Sequence, residues 1–209
     1  GDERYSFGDY ASSLEHFRQA RIRLADIEEL GRQKLAAAKV DAEAAIESLN
    51  LNVASTSIEL ATAIAPQDPE VQALTARVGA LERVAAHIEA GDEAMARGSF
   101  QAAQTEYREA VGLDPEHQRA TTSLALANRE VTASAFRRQM SRGFAALESQ
   151  NYGDARSAFL EAGKIYPGDA AVEKALAQVE NRESGSFVRS ELERAADLPD
   201  PFVDRQCDA

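Results

Sequence analysis

The sequence predicts an all-α protein made of repeated antiparallel helix pairs. Alanine occurs 41 times in 209 residues, while Gly and Pro together number only 18. Ala loses least on entering a helix, so this composition favours helix over sheet. One pattern of small and aromatic residues recurs along the chain, and long proline-free stretches separate its copies. The chain is 44% hydrophobic, enough to build a core.

The first copy, "DYASSLEHFRQA" (9–20), carries Tyr10, Ser13, Phe17 and Ala20. The second, "NLNVASTSIELATAIAP" (50–66), carries Leu51, Ala54, Ile58, Ala61 and Pro66. The third, "SFQAAQTEYREAVGLDP" (99–115), carries Phe100, Ala103, Tyr107, Ala110 and Pro115. The fourth, "NYGDARSAFLEAGKIYP" (151–167), carries Tyr152, Ala155, Phe159, Ala162 and Pro167. Spacings of three, four and three place each set on one helix face. Closely crossing helices need small residues where backbones meet and bulky ones where a gap remains. The alanines are therefore expected as contact points and Phe159 or Tyr107 as the plug. The proline lies where the helix must stop.

Upstream of each copy a partner helix is expected. "GFAALESQ" (143–150) lies over "GDEAMARG" (91–98), and "GDERYSFG" (1–8) lies over both. Val71, Leu74, Val78, Leu81, Ala85, Ile88 and Met95 run through one proline-free stretch; Leu124, Val131, Met140 and Leu147 run through another. Each reads as one helix of about 30 residues, near 45 Å long, with a three-helix repeat as the alternative. "DPE" at 68–70 and at 114–116 is expected to open both helices, with Asp as cap and Pro in the first turn. Gly31 is expected to end the second helix of the first copy. The units fall at roughly 1–30, 31–66, 67–115 and 116–167, followed by a terminal helix over 168–198 and an irregular tail over 199–209.

The pattern resembles the tetratricopeptide repeat (TPR). Gly91 and Gly143 match that family's small position in the first helix. Phe100 and Tyr152 match its aromatic at the start of the second, and the Ala, aromatic and Pro positions above match the rest. The likeness covers nearly the whole chain. The family's tryptophan is absent. Its period is about 34 residues, whereas Tyr10, Leu51, Phe100 and Tyr152 are 41, 49 and 52 apart, so this is a variant with long first helices. The resemblance implies a right-handed superhelix with a concave groove lined by first helices. The matching inner positions are Tyr5, Lys39, Glu43, Ile88, Asp92, Met95, Arg137, Met140, Phe144 and Leu147. The lengthened helices can equally fill that groove, making some of these residues core. The family's clamp for a C-terminal carboxylate needs several Lys, Arg and Asn residues, and only Lys39 and Arg137 occur at inner positions.

Catalytic and metal-binding patterns are not expected. His16, His87 and His117 are far apart and form no helical ligand pair. "GK" at 163–164 lacks the glycine-rich loop of a phosphate cradle. The carboxylates read as solvated helix faces. The lone Cys207 can form no internal disulfide and reads as an exposed thiol on the tail. No cofactor is expected. A net charge of −12 argues against nucleic acid as partner. No apolar run approaches the ~20 residues of a membrane helix, and no secretory signal is present.

The expected function is non-catalytic binding of a peptide or partner protein in the groove. A structural spacer or self-associating array, hence a homo-oligomer, is the alternative. Neither end carries the polar cap that solenoids use, so the chain reads as a segment of a larger protein, with the last long helix as a cap being the runner-up. Arg outnumbers Lys 19 to 4. With the abundant Ala this points to a bacterial source, in cytoplasm or periplasm.

Overall fold

The computed structural model describes residue 2 and residues 9–196. Seven helices follow one another after residue 9: α1 (Tyr10–Glu47), α2 (Leu51–Ile64), α3 (Pro69–Ala96), α4 (Phe100–Leu113), α5 (Gln118–Glu148), α6 (Tyr152–Ile165) and α7 (Ala170–Ala196). The described residues contain no strand. The chain divides into two compact units, Gly1–Asn128 and Arg129–Ala209, and α5 contributes to both.

The three short helices α2, α4 and α6 each have 14 residues and begin at Leu51, Phe100 and Tyr152. Each follows a turn of the same construction. The residue before the cap has positive φ: Leu49 at 58°, Gly98 at 72° and Gln150 at 61°. The N–H of the next residue reaches back five positions, from Asn50 to Ala45 O (2.8 Å), Ser99 to Ala94 O (2.9 Å) and Asn151 to Ala146 O (2.9 Å). These bonds satisfy carbonyls that the ending helix leaves open. Asn50 and Asn151 then cap the new helix by accepting from the Val53 and Asp154 N–H groups, both at 3.2 Å.

The recurring small and aromatic residues of copies two to four form the core of the pairs. In unit 1, Ala54, Ile58 and Ala61 of α2 pack with Ala38, Ala42, Ala45 and Ile46 of α1 and with Val71, Leu74, Val78 and Leu81 of α3. Ala103 and Tyr107 of α4 join Ala94 of α3 and Ala127 of α5. Ala110 joins Val84, Ile88 and Ala120. In unit 2, Leu147 of α5, Ala155, Phe159 and Ala162 of α6, and Val172, Ala175 and Val179 of α7 form one cluster. Gly91 and Gly143 are the points of closest approach. A Cβ on Gly91 would stand 2.5 Å from Tyr107 Cε1, and one on Gly143 would stand 2.6 Å from Phe159 Cδ1. The equivalent residue in the second copy is Ala42, and its plug is the smaller Ile58; both are buried.

Three expectations are corrected. Gly31 does not end a helix, because α1 runs unbroken for 38 residues. No proline interrupts that stretch, a single glycine costs only about 1 kcal/mol, and Glu29 supports the passage by accepting from Arg32 (2.6 Å) and Gln33 (2.9 Å). Tyr10 and Phe17 are not core residues: they are 62% and 49% exposed, and from 10 to 37 only Ser13 is buried. The two "DPE" strings also differ in register. Asp68 caps α3 and accepts from the Glu70 N–H at 2.9 Å, with Pro69 in the first turn. Asp114 instead closes α4, and α5 starts at Gln118. Pro66, Pro115 and Pro167 each precede the next helix by three residues, so Pro115 matches Pro66 and Pro167 in register, and His117 stands where the other two segments have Asp68 and Asp169. Cys207 and the tail lie outside the described residues.

Candidate functional site

The ten inner positions expected to line a groove separate into distinct environments. Tyr5 lies outside the described residues. Ile88 (1% exposed) and Leu147 (3%) are core residues, so they cannot line an open surface; the long first helices bury them against their partners. Lys39 is drawn into an ion-pair tie, its Nζ donating to Asp68 (2.7 Å) and Glu70 (2.5 Å) at the start of α3. Hydrogen bonds to Asp68 and then Glu70 hold its ammonium above the usual lysine range. Asp92 accepts from the Tyr107 hydroxyl (2.6 Å) and from Arg119 (2.5 Å), fastening α3 to α4 and α5. Met95 is half-buried against the Tyr107 cluster.

Glu43, Arg137 and Phe144 are exposed, and Met140 is half-buried. Arg137, Met140 and Phe144 are three and four apart on α5, hence on one face. Phe144 sets its ring edge against Phe159, with centroids 5.0 Å apart. Met140 also packs on the Phe159 cluster. This short face belongs to unit 2. In unit 1, Glu43 borders a shallow cavity of about 360 Å³ with Arg32, Leu35, Lys39, Val40 and Glu70.

Sequence reasoning missed a larger cleft in unit 2. It opens between α6 and α7, has a volume of about 670 Å³, and is lined by Leu160, Pro167, Val172 and Leu176 with Arg156, Glu161 and Lys164 among its charged members. All three charges are already paired: Arg156 with Glu183 of α7 (2.6 Å), and Lys164 with Glu161 (2.5 Å). Leu160 is 50% exposed. The equivalent positions in the earlier copies are Glu59 and Arg108, both exposed. The signal was therefore present in the sequence, as a leucine at a position otherwise charged. A second cavity of about 430 Å³ lies between the end of α5 and α7, where Arg182, Arg189, Ser186 and Ser190 face Glu148 and Tyr152.

The histidines have local partners. His16 Nδ1 lies 2.6 Å from the Ser12 carbonyl and His87 Nδ1 lies 2.9 Å from Glu106. His117 is fully buried at the start of α5 and accepts from the Ala120 N–H at 3.4 Å. Beside it, Arg77 of α3 donates to Asp114 (2.9 Å) and to Glu47 at the end of α1 (3.2 Å). Among the described residues, no group of three or more His, Cys, Asp or Glu side chains is placed to hold a metal ion. None of the described helices is long and apolar enough to cross a membrane.

Comparison with protein-family models, with curated proteins and with solved structures returns no match. The functional reading therefore rests on this chain's own geometry.

Proposed function

We propose that the chain is a TPR-like, non-catalytic scaffold that binds a peptide or partner helix. Its pairs are read as turns of a right-handed superhelix, with Arg137, Met140 and Phe144 on the inner face. Three successive turns of the same hydrogen-bond design, each followed by a 14-residue helix, support the repeat reading. The cleft between α6 and α7 carries the functional one. Leu160 stays half-exposed over Val172 and Leu176 where the other copies present a charge. An apolar floor with charges along its α6 side is the chemistry that holds an amphipathic segment.

The test is selection of helical and extended peptides against the intact chain, followed by calorimetric titration. Selected ligands should bind Leu160→Asp at least tenfold more weakly than wild type, with the helical circular dichroism unchanged. Ligands that bind the variant equally well, or a selection that yields none, would overturn the reading.

A further inference from the structure

We infer that His117 is a proton-operated cap: on acidification its buried imidazole releases the first turn of α5 and turns to Glu47 of α1. The inference concerns unit 1 and does not rest on the peptide-binding reading. Three long helices open on a residue of the same register. Asp68 before α3 accepts from the Glu70 N–H at 2.9 Å, and Asp169 before α7 accepts from the Ala171 N–H at 2.9 Å. Before α5 the corresponding group is the ring of His117, whose Nδ1 accepts from the Ala120 N–H at 3.4 Å. A carboxylate ordinarily stays ionised down to about pH 4, and the hydrogen bond from Lys39 holds the Asp68 carboxyl below its usual range. An imidazole is the side chain that changes charge between about pH 5 and 8. Of these three openings, only that of α5 is tied by a group from which protons withdraw the acceptor in that interval.

The surroundings of the ring supply both positions. To accept at Nδ1, the neutral ring must carry its hydrogen on Nε2, and Nε2 is buried with no hydrogen-bond partner. The neutral cap thus leaves a buried donor unsatisfied, which a carboxylate in its place would not. Glu47 Oε2 lies 3.8 Å from Nδ1, just beyond a hydrogen bond. A proton added to Nδ1 removes the lone pair that held Ala120 and creates a charged donor facing that carboxylate. Glu47 has room for it. Its Oε2 accepts from the Gln118 N–H at 3.0 Å and its Oε1 from Arg77 at 3.2 Å, while each carboxylate oxygen offers two lone pairs. The other charged groups around the ring are Arg77 from α3 and Asp114 and Glu116 from the turn after α4, and both acids are paired with Arg77. The Ala120 N–H is then left without its acceptor at a fully buried residue. The first turn of α5 must open for that group to reach water.

Amide hydrogen exchange of the intact chain, followed by NMR and corrected for the intrinsic effect of pH, tests this. Protection of the Ala120 amide should fall at least tenfold between about pH 7.5 and 5. Its half-change should coincide with that of the His117 ring Cε1–H resonance. The Glu70 and Ala171 amides, held by Asp68 and Asp169, should not follow. In His117→Asn the cap is kept by a good capping residue that does not titrate, so Ala120 protection should stay level across the interval. Constant Ala120 protection in the wild type would overturn the inference. So would a midpoint different from that of the His117 ring, a loss shared by Glu70 and Ala171, or a folded His117→Asn protein that loses protection as the wild type does. Should that variant fail to fold, the wild-type comparison of Ala120 with the ring decides alone.

Discussion

Replacing Gly143 with alanine separates two physical effects of opposite sign. By helix propensity alone, alanine in a helix interior is better than glycine by about 1 kcal/mol. The packing says otherwise. The new Cβ would stand 2.6 Å from Cδ1 and 2.7 Å from Cζ of Phe159, whereas carbon atoms rest about 3.5–4.0 Å apart. The ring must retreat by about 1 Å, yet it is fully buried and has Phe144 at its edge. Overpacking of this kind costs about 1–3 kcal/mol, so Gly143→Ala should be destabilising by about 1 kcal/mol net. The second copy supplies the remedy, since it combines Ala42 with the smaller Ile58. Phe159→Ile alone should also destabilise, by about 1–2 kcal/mol, through lost contacts and a void. The double variant should lose less than the two singles together, with a coupling above about 0.5 kcal/mol. Urea unfolding followed by helical circular dichroism measures all four corners of the cycle, compared at constant slope. A Gly143→Ala protein as stable as wild type, or singles that simply add, would refute the reasoning.

Three further outcomes are expected. Arg77→Ala leaves Asp114, 2% exposed, without its guanidinium, and breaking a buried pair in this way costs about 3–5 kcal/mol; a urea midpoint within error of wild type would show the pair to be dispensable. Gly31→Ala should stabilise by about 0.5–1 kcal/mol and raise the helical signal, because Gly31 sits inside α1 and its new Cβ would meet nothing within 4 Å; destabilisation would mean that the helix ends there after all. Burial, with the Asp92 carboxylate alongside, pushes the Tyr107 hydroxyl up to about 12. The unfolded chain releases that proton near pH ~10, so the contribution is full below that pH and is lost as pH rises towards 12. Wild-type stability should fall more steeply than that of Tyr107→Phe over this interval, and parallel curves would exclude the link.

Features repeated within a helix were legible in the sequence, and features made between helices were not. Ala103, Tyr107 and Ala110, or Ala155, Phe159 and Ala162, declare a buried face through spacing alone, and Gly91 and Gly143 declare the close approach opposite. The continuity of α1 was hidden because glycine is a weak stop signal when no proline or left-handed cap reinforces it. The turns at Leu49 and Gln150 were hidden because neither residue advertises positive φ, though each adopts it. Lys39, Asp92 and Arg77 give no warning that they will be spent as ties, since their partners lie 15 to 37 residues away. The α6–α7 cleft escaped notice because Leu160 becomes informative only once the copies are placed in structural register.

Arg77 has a consequence for how unit 1 comes apart. Its guanidinium grasps Glu47 at the end of α1 and Asp114 at the close of α4. Glu47 in turn accepts from the Gln118 N–H at the start of α5, at 3.0 Å. One cation therefore latches three successive segments that a simple stack would join only to nearest neighbours. Loosening any of them unhitches the others, so this half of the chain should melt in a single concerted step instead of unzipping pair by pair.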